Sequence, residues 1–305
     1  MALFECIANV SDGRDPETLA VLCDAVEAAG ARMLDRSADA DHHRSVITFA
    51  GEEKPVEAAV LALVATALPR IDLRRHIGVH PRVGAVDVVP IVPLAADGSP
   101  SRDLGAADRL AHRLGREIAR RHSLPIYFYE ASARSPQRAP LPAIRRGGLA
   151  GLRARAADGS WPPDLGPRQI GERSGALVLG ARPALVAYNI WLESNDLRIA
   201  RDIARQIREA SGGLPAVRAL GLPLAAEDCV QVSMNLLDIE RTPPLDAFRA
   251  VEHEARLRGV AVRGSELIGL APRAALPPDA IEELRFLVPV SARVLEYRLA
   301  HAGLI

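Results

Sequence analysis

Residues 76–87 read HIGVHPRVGAVD: two histidines, an arginine, two glycines and an aspartate in twelve positions. Imidazole is the side chain whose ordinary pKa lies nearest neutrality, so His80 or His76 suits the taking and giving of a proton. Pro81 keeps His80 out of the helical region. Arg82 can hold a carboxylate through two parallel N–H donors, and Gly84 permits a close backbone approach that a side chain would block. The competing reading makes both histidines polar loop residues satisfied by carbonyls, and spacing alone leaves His76 and His80 equivalent. The H-x-x-x-H spacing also suits metal ligation. Gly78 and Pro81 interrupt the helix that would present both rings, and no H-E-x-x-H occurs, so no metal is expected.

Three other groups of residues can carry chemistry. Asp39, Asp41, His42, His43 and Arg44 lie together between two strand-like runs. Carboxylates beside imidazoles can orient a base or hold a cation; the bland alternative is a solvated hairpin turn. Asn9, Ser11, Gly13 and Arg14 end the first strand and lead into a helix whose free N–H groups can take an anion, though a plain strand-to-helix turn explains them equally. Gly166, Gly171 and Gly175 space the loop LGPRQIGERSG, which matches neither a Walker A nor a dinucleotide-binding pattern. Asn189 and Asn235 each interrupt an apolar strand. A buried amide needs partners, so each is a structural residue or part of a pocket wall.

The elements that must position these residues follow from periodicity and turn chemistry. The first half reads strand 3–10, helix 15–29, strand 31–36, loop 37–43, strand 44–50, helix 55–68 and strand 86–92. A helix over 101–122 and a strand over 125–129 come next. Residues 131–166 are rich in Pro, Arg, Gly and Ala and read as an ordered excursion with one short helix near 139–147. Strand character resumes over 175–181 and 184–192. The second half continues with helix 196–210, strands 217–224 and 229–238, helix 244–258, strand 260–268, and short helices over 278–285 and 290–300. Each half has the order β-α-β-β-α-β. The class is therefore α+β, with two tandem ferredoxin-like (split βαβ) subdomains over 1–178 and 179–305. A single larger mixed sheet is the alternative.

The chain has 305 residues and a formal net charge of zero. Nothing global favours a nucleic acid or an anionic membrane as partner. Cys6, Cys23 and Cys229 are odd in number and lack a C-x-x-C, which argues against a disulfide framework or zinc site and suits a reducing, cytoplasmic setting. The N-terminus lacks the pattern of a signal peptide. The apolar run 55–69 is too short to cross a bilayer.

Several segments together resemble the formimidoyltransferase (formiminotransferase) family, which includes the N-terminal part of the bifunctional formimidoyltransferase-cyclodeaminase. They are ECIANVSDGRD at 5–15, DHHRSVITFAG at 41–51, IDLRRHIGVHPRVGAVDVVPIVP at 71–93, LPAIRRGG at 141–148, WPPDLGP at 161–167, GALVLGARPALVAYNIWL at 175–192, VQVSMNLLD at 230–238 and GSELIGLAP at 264–272. They stand in the family's order and cover nearly the whole chain. The resemblance implies transfer of a formimidoyl group from N-formimidoyl-L-glutamate to tetrahydrofolate in histidine degradation, with tetrahydrofolate as co-substrate, no metal and no cyclodeaminase domain. It puts the catalytic histidine at His80 and the folate-binding segment on Gly166, Pro167, Arg168, Gly171, Arg173, Ser174 and Gly175. It also implies a substrate cleft between the two subdomains, and a homodimer. The family commonly has Asn where this chain has His43, and an aromatic where it has Val10.

On this reading His80 takes the proton from the attacking amine and returns it to the leaving nitrogen. Asp39 or Asp41 orients His80 or stabilises the cationic amidine, and Arg82 or Arg44 holds a substrate carboxylate. The alternatives are transfer from a related donor such as N-formylglutamate, and a folate-binding homologue without turnover. Retention of the whole H-P-R-x-G segment speaks against the second.

Overall fold

The computed structural model describes residues 2–78, 81–224 and 227–305, and the chain divides into two compact units, the first running to Arg182 together with Ala302–Ile305, the second over Pro183–His301. In the first unit β1 (Leu3–Val10) leads into α1 (Pro16–Ala28), followed by β2 (Arg32–Asp39), β3 (Arg44–Glu52), α2 (Glu53–Arg70) and β4 (Val86–Leu94). Asp15 caps α1, its carboxylate accepting from the Glu17 and Thr18 N–H groups while Pro16 occupies the first turn. Leu22, Cys23 and Val26 are buried on its inner face. These six elements form a split βαβ whose strands lie in the order β2-β3-β1-β4, all antiparallel.

Two further strands extend this sheet beyond the ferredoxin-like core. α3 (Gly105–His122) returns the chain to β5 (Ile126–Phe128), and β6 (Leu177–Ala181) inserts parallel between β4 and β5. Right-twisted parallel pairs need such a crossover helix. α3 places Leu110, Leu114 and Ile118 in the same core as α1 and α2. β4 is buried along its whole length, as its run of Val and Ile predicts for a strand covered on both faces.

Its second cover is the excursion, which holds two helices where the sequence predicts one: α4 (Leu141–Arg145) and α5 (Gly148–Ala157). Ile144, Leu152 and Ala156 pack with Val88, Tyr127 and Val178 in a separate core cluster. Asp164 pins the excursion to the sheet, accepting from the Phe128 N–H at 2.8 Å and from Arg138 at 2.6 Å. Trp161 stacks under the Arg138 and Arg155 guanidiniums.

The second unit repeats the split βαβ: β7 (Val186–Leu192), α6 (Leu197–Ile207), β8 (Val217–Leu224), β9 (Cys229–Leu236), α7 (Pro244–Leu257) and β10 (Val262–Ile268). Its sheet has the order β10-β7-β9-β8, fully antiparallel, the counterpart of β4-β1-β3-β2. The two sheets are separate, so the single mixed sheet does not occur. α6 and α7 bury Ile203, Ile207, Phe248 and Val251 against Tyr188, Ile190, Val232 and Met234. Among the later elements, the helix expected over 278–285 is a 3-10 turn at Pro278–Ala280, and α8 is Leu295–His301. Among the described residues no helix is long and apolar enough to cross a membrane.

Candidate functional site

Backbone pairing gathers most of the candidate residues of the first unit around one end of β1. The Ser11 N–H donates to the Ala85 carbonyl at 2.8 Å and the Ser11 hydroxyl to the Gly84 carbonyl at 2.7 Å. Ser45 donates to the Asp12 carbonyl at 2.5 Å. These bonds join the loop after β1 to the start of β3 and to the approach of β4. At Gly13 a Cβ would collide with the backbone of Asp39 and Arg44, so glycine is what lets this loop lie against the β2–β3 turn.

That turn is tighter than the loop read from sequence. β2 continues through Asp39, which pairs in register with Arg44. Ser37 and Ala38 are therefore strand, and the connection is only 40–43. Within it His43 takes a left-handed conformation, φ 51°, unusual for a residue with a Cβ. Three contacts hold it there. The Gly13 N–H donates to Nδ1 of His43 at 3.0 Å. Nε2–H of His76 donates to the His43 carbonyl at 2.7 Å. The two imidazole rings stack, centroids 4.1 Å apart and planes at 22°. Backbone strain persists only where the surroundings fix it in this way, and it collects at functional sites.

The same bonds fix the tautomers. Nδ1 of His43 accepts, so its proton is on Nε2; Nε2 of His76 donates, so its Nδ1 carries the lone pair. That Nδ1 is buried and has no partner among the described residues. Burial lowers the pKa of both rings, His76 to about 4. For His43 the nearby Asp12 carboxylate opposes burial, while Arg14 and Arg82 act with it. Both imidazoles are thus neutral hydrogen-bonding groups near pH 7.

His42 turns the other way, accompanying Asp39: its N–H and ring Nδ1 contact the carboxylate oxygens at 2.8 and 2.6 Å. Burial would raise the Asp39 carboxyl, but the His42 hydrogen bonds and charge prevail, leaving it below the ordinary value. Asp41 is exposed on the turn. Arg82 donates to the Gly78 carbonyl at 3.2 Å and the His76 carbonyl at 3.4 Å. His80, the residue singled out for proton transfer, lies outside the described residues.

Arg44 stands at the start of β3 beside Asn9, to which it donates at 3.4 Å. Its Nε is buried without a partner, and it has no ion pair among the described residues. Burial lowers its pKa, and the charge of Arg145 lowers it further. Arg145, at the end of α4, is paired with the buried Asp87 of β4. Asp87 also accepts the Val83 N–H at 2.7 Å. Sequence reading counted Asp87 in the histidine stretch without giving it a role, and passed over Arg145. The available signal was the aspartate in an otherwise apolar buried strand, which requires a cationic partner.

The glycine-spaced loop lies against the same region. Ala85 N–H donates to the Ser174 carbonyl at 2.9 Å, Ala176 N–H to the Val83 carbonyl at 2.8 Å, and Leu73 N–H to the Arg173 carbonyl at 2.9 Å. Gly84 and Gly175 form a bridge so close that a Cβ on either would enter the other segment's backbone. Arg173 donates to Asp72 at 3.2 Å and to the Pro69 carbonyl at 2.6 Å. Gly166, Pro167, Arg168 and Gly171 are exposed. Asn189 and Asn235 belong to the second unit. Asn189 is buried and donates to Glu266 at 3.0 Å, sharing that carboxylate with Trp191 at 3.1 Å; Asn235 is exposed on β9. No cluster of three or more His, Cys, Asp or Glu among the described residues is placed to hold a metal ion.

Residues 3–182 match the model of the formiminotransferase domain, N-terminal subdomain, and residues 187–281 that of the formiminotransferase domain. The chain is 38% identical over 275 residues to glutamate formimidoyltransferase of Streptococcus pyogenes serotype M1, covering 90% of each. It is 37% identical over 279 residues to glutamate formimidoyltransferase of Thermoplasma acidophilum, again covering 90% of each. It is also 37% identical to formimidoyltransferase-cyclodeaminase of Gallus gallus over 90% of this chain and 51% of that one. Matches of this extent, on a chain with two split βαβ units, make it a member of the formiminotransferase family, a family of transferases.

Proposed function

We propose that the chain transfers the formimidoyl group of N-formimidoyl-L-glutamate to tetrahydrofolate, giving 5-formimidoyltetrahydrofolate and glutamate, as a step of histidine degradation. One observation carries this reading. The histidine stretch and the glycine-spaced loop are stitched together at Gly84 and Gly175. A two-substrate transfer needs its donor and acceptor segments at one place, because proximity supplies much of the rate.

The N5 amine of the folate attacks the formimidoyl carbon, forming the new C–N bond and a tetrahedral intermediate. A base removes the N5 proton. The bond to the glutamate nitrogen then breaks as that nitrogen is protonated. His80 is the proposed carrier of this proton in both directions. His43 and His76 are poorer candidates for this role. Burial holds His43 and His76 neutral, and one nitrogen of each is committed to a backbone partner. Asp39, ionised beside His42, is the proposed stabiliser of the cationic amidine. Gly166, Pro167, Arg168, Gly171, Arg173, Ser174 and Gly175 are the proposed folate contacts. Asn189 and Asn235 are proposed to contribute from the second unit. The three free, buried cysteines suit a cytoplasmic location. A homodimer is the proposed assembly, to be checked by sedimentation.

The test is turnover of tetrahydrofolate with N-formimidoyl-L-glutamate, followed by folate absorbance, in the wild type and in His80→Asn. The variant is expected to keep its fold and lose at least about 100-fold in kcat. Undiminished kcat in His80→Asn removes that residue from the mechanism. Faster turnover with N-formyl-L-glutamate shifts the reading to the related donor.

A further inference from the structure

Three guanidiniums, Arg44, Arg82 and Arg145, share the field of one buried carboxylate, Asp87. Asp87 has 2% of its side chain exposed and is already committed, to Arg145 and to the Val83 N–H. The other carboxylate acting on Arg44 is Asp39, whose oxygens are taken by His42. Among the described residues Arg44 therefore has, for a half-buried charge, one long hydrogen bond to Asn9 and an unmet, buried Nε–H. Arg145 has an unmet Nε–H as well, with 14% of its side chain exposed. Burying a cation without a counter-charge is costly unless something else balances it. Arg44 is such a cation, and the Nε–H of Arg145, whose charge Asp87 already balances, is still unmet; together they define a place where an anion is missing.

We infer that Arg44 and Arg145 form a single seat for a substrate carboxylate of the glutamate type, with Asn9 beside it and Asp87 holding Arg145 in position. This rests on the proposed transfer and says what recognises the substrate. Planar guanidiniums with free N–H groups match a carboxylate's geometry. α4, which delivers Arg145, lies in the part of the first unit that covers β4 and β6. Arg44 contacts Asn9, the strand partner of Val88, and Val88 follows the Asp87 that holds Arg145, so the sheet pairing brings the two arginines to one place. Both the donor and the folate end in a glutamate, and the seat's chemistry fits either.

A merely structural role and a binding role move stability in opposite directions. Arg44 has no ion pair among the described residues, so Arg44→Met removes an unbalanced charge and is expected to leave the melting temperature unchanged or higher. It should weaken carboxylate binding by roughly 10- to 100-fold, the worth of a hydrogen bond to a charged group. Arg145→Met alone strands Asp87. The double variant Asp87→Asn/Arg145→Met removes both charges, and the amide oxygen it introduces can still accept the Val83 N–H, so its fold should be retained while the binding loss persists.

Binding is read by calorimetry with N-acetyl-L-glutamate, an unreactive dicarboxylate, and with tetrahydrofolate against tetrahydropteroate, which lacks the glutamate. Weaker N-acetyl-L-glutamate binding in both variants assigns the seat to the donor. Weaker tetrahydrofolate binding with tetrahydropteroate unaffected assigns it to the folate tail. Unchanged affinity for all three ligands in Arg44→Met overturns the seat, as does a large loss of stability in that variant. If the wild type binds the dicarboxylate but transfers no formimidoyl group, the proposed reaction fails and the seat stands.

Discussion

The stacked histidines predict a pH-dependent stability that can be isolated. His76 titrates near 4 in the folded protein against an ordinary value of 6.5, chiefly because it is buried. A histidine with a lowered folded pKa favours the unfolded chain once protonated. Its contribution is therefore complete above the unfolded value and is lost progressively as pH falls from 6.5 towards 4. Between about pH 7.5 and pH 5 the two values imply a loss of about 2 kcal/mol, and partial exposure of the ring trims this to about 1–2 kcal/mol. His76→Gln supplies an amide donor for the His43 carbonyl that does not titrate. The chain has two tryptophans, Trp161 in the first unit and Trp191 in the second. A Trp191→Phe background leaves Trp161 as the reporter of the unit containing His76. Urea unfolding followed at Trp161 should show the His76 protein losing about 1–2 kcal/mol more than the Gln variant over this pH interval. Equal losses in the two proteins would refute a buried, neutral His76.

Two further outcomes follow from the local geometry. Gly84→Ala forces a Cβ into the carbonyl of Ala176 and within 2.6 Å of that of Val86; both are backbone and cannot rotate away, so calorimetry should show a loss of about 2–3 kcal/mol or more. An unchanged melting temperature would contradict the Gly84–Gly175 stitch. At His43, with φ 51°, Asn tolerates the left-handed conformation and Val does not, so His43→Asn should stay within about 1 kcal/mol of the wild type while His43→Val loses about 2 kcal/mol or more.

How much was legible in the sequence depends on the range of the interactions. β4 was legible because its burial on both faces is written as a continuous β-branched run. The duplicated split βαβ was legible from element order, since each element has its own periodicity. The extent of β2 was not, because Ser37, Ala38 and Asp39 lie on an edge strand whose exposed face carries no apolar alternation. α5 was hidden for a related reason: GLAGLRARAA has weak periodicity, and Leu152 and Ala156 alone are buried. The site divides the same way. Spacing drew attention to 76–87 and 39–44, yet gave no means of knowing that His43 and His76, 33 positions apart, would stack. Arg145 reaches an aspartate 58 positions away, and only the completed packing of α4 over β4 brings the two together.

The central claim concerns the movement of one carbon. N-formimidoyl-L-glutamate labelled with carbon-13 at the formimidoyl position, incubated with the protein and tetrahydrofolate, can be followed directly by NMR. The account predicts that the labelled resonance leaves the glutamate nitrogen and appears on N5 of the folate, with one free glutamate released for each transfer. A label that stays on glutamate in the presence of folded protein and bound tetrahydrofolate would contradict it.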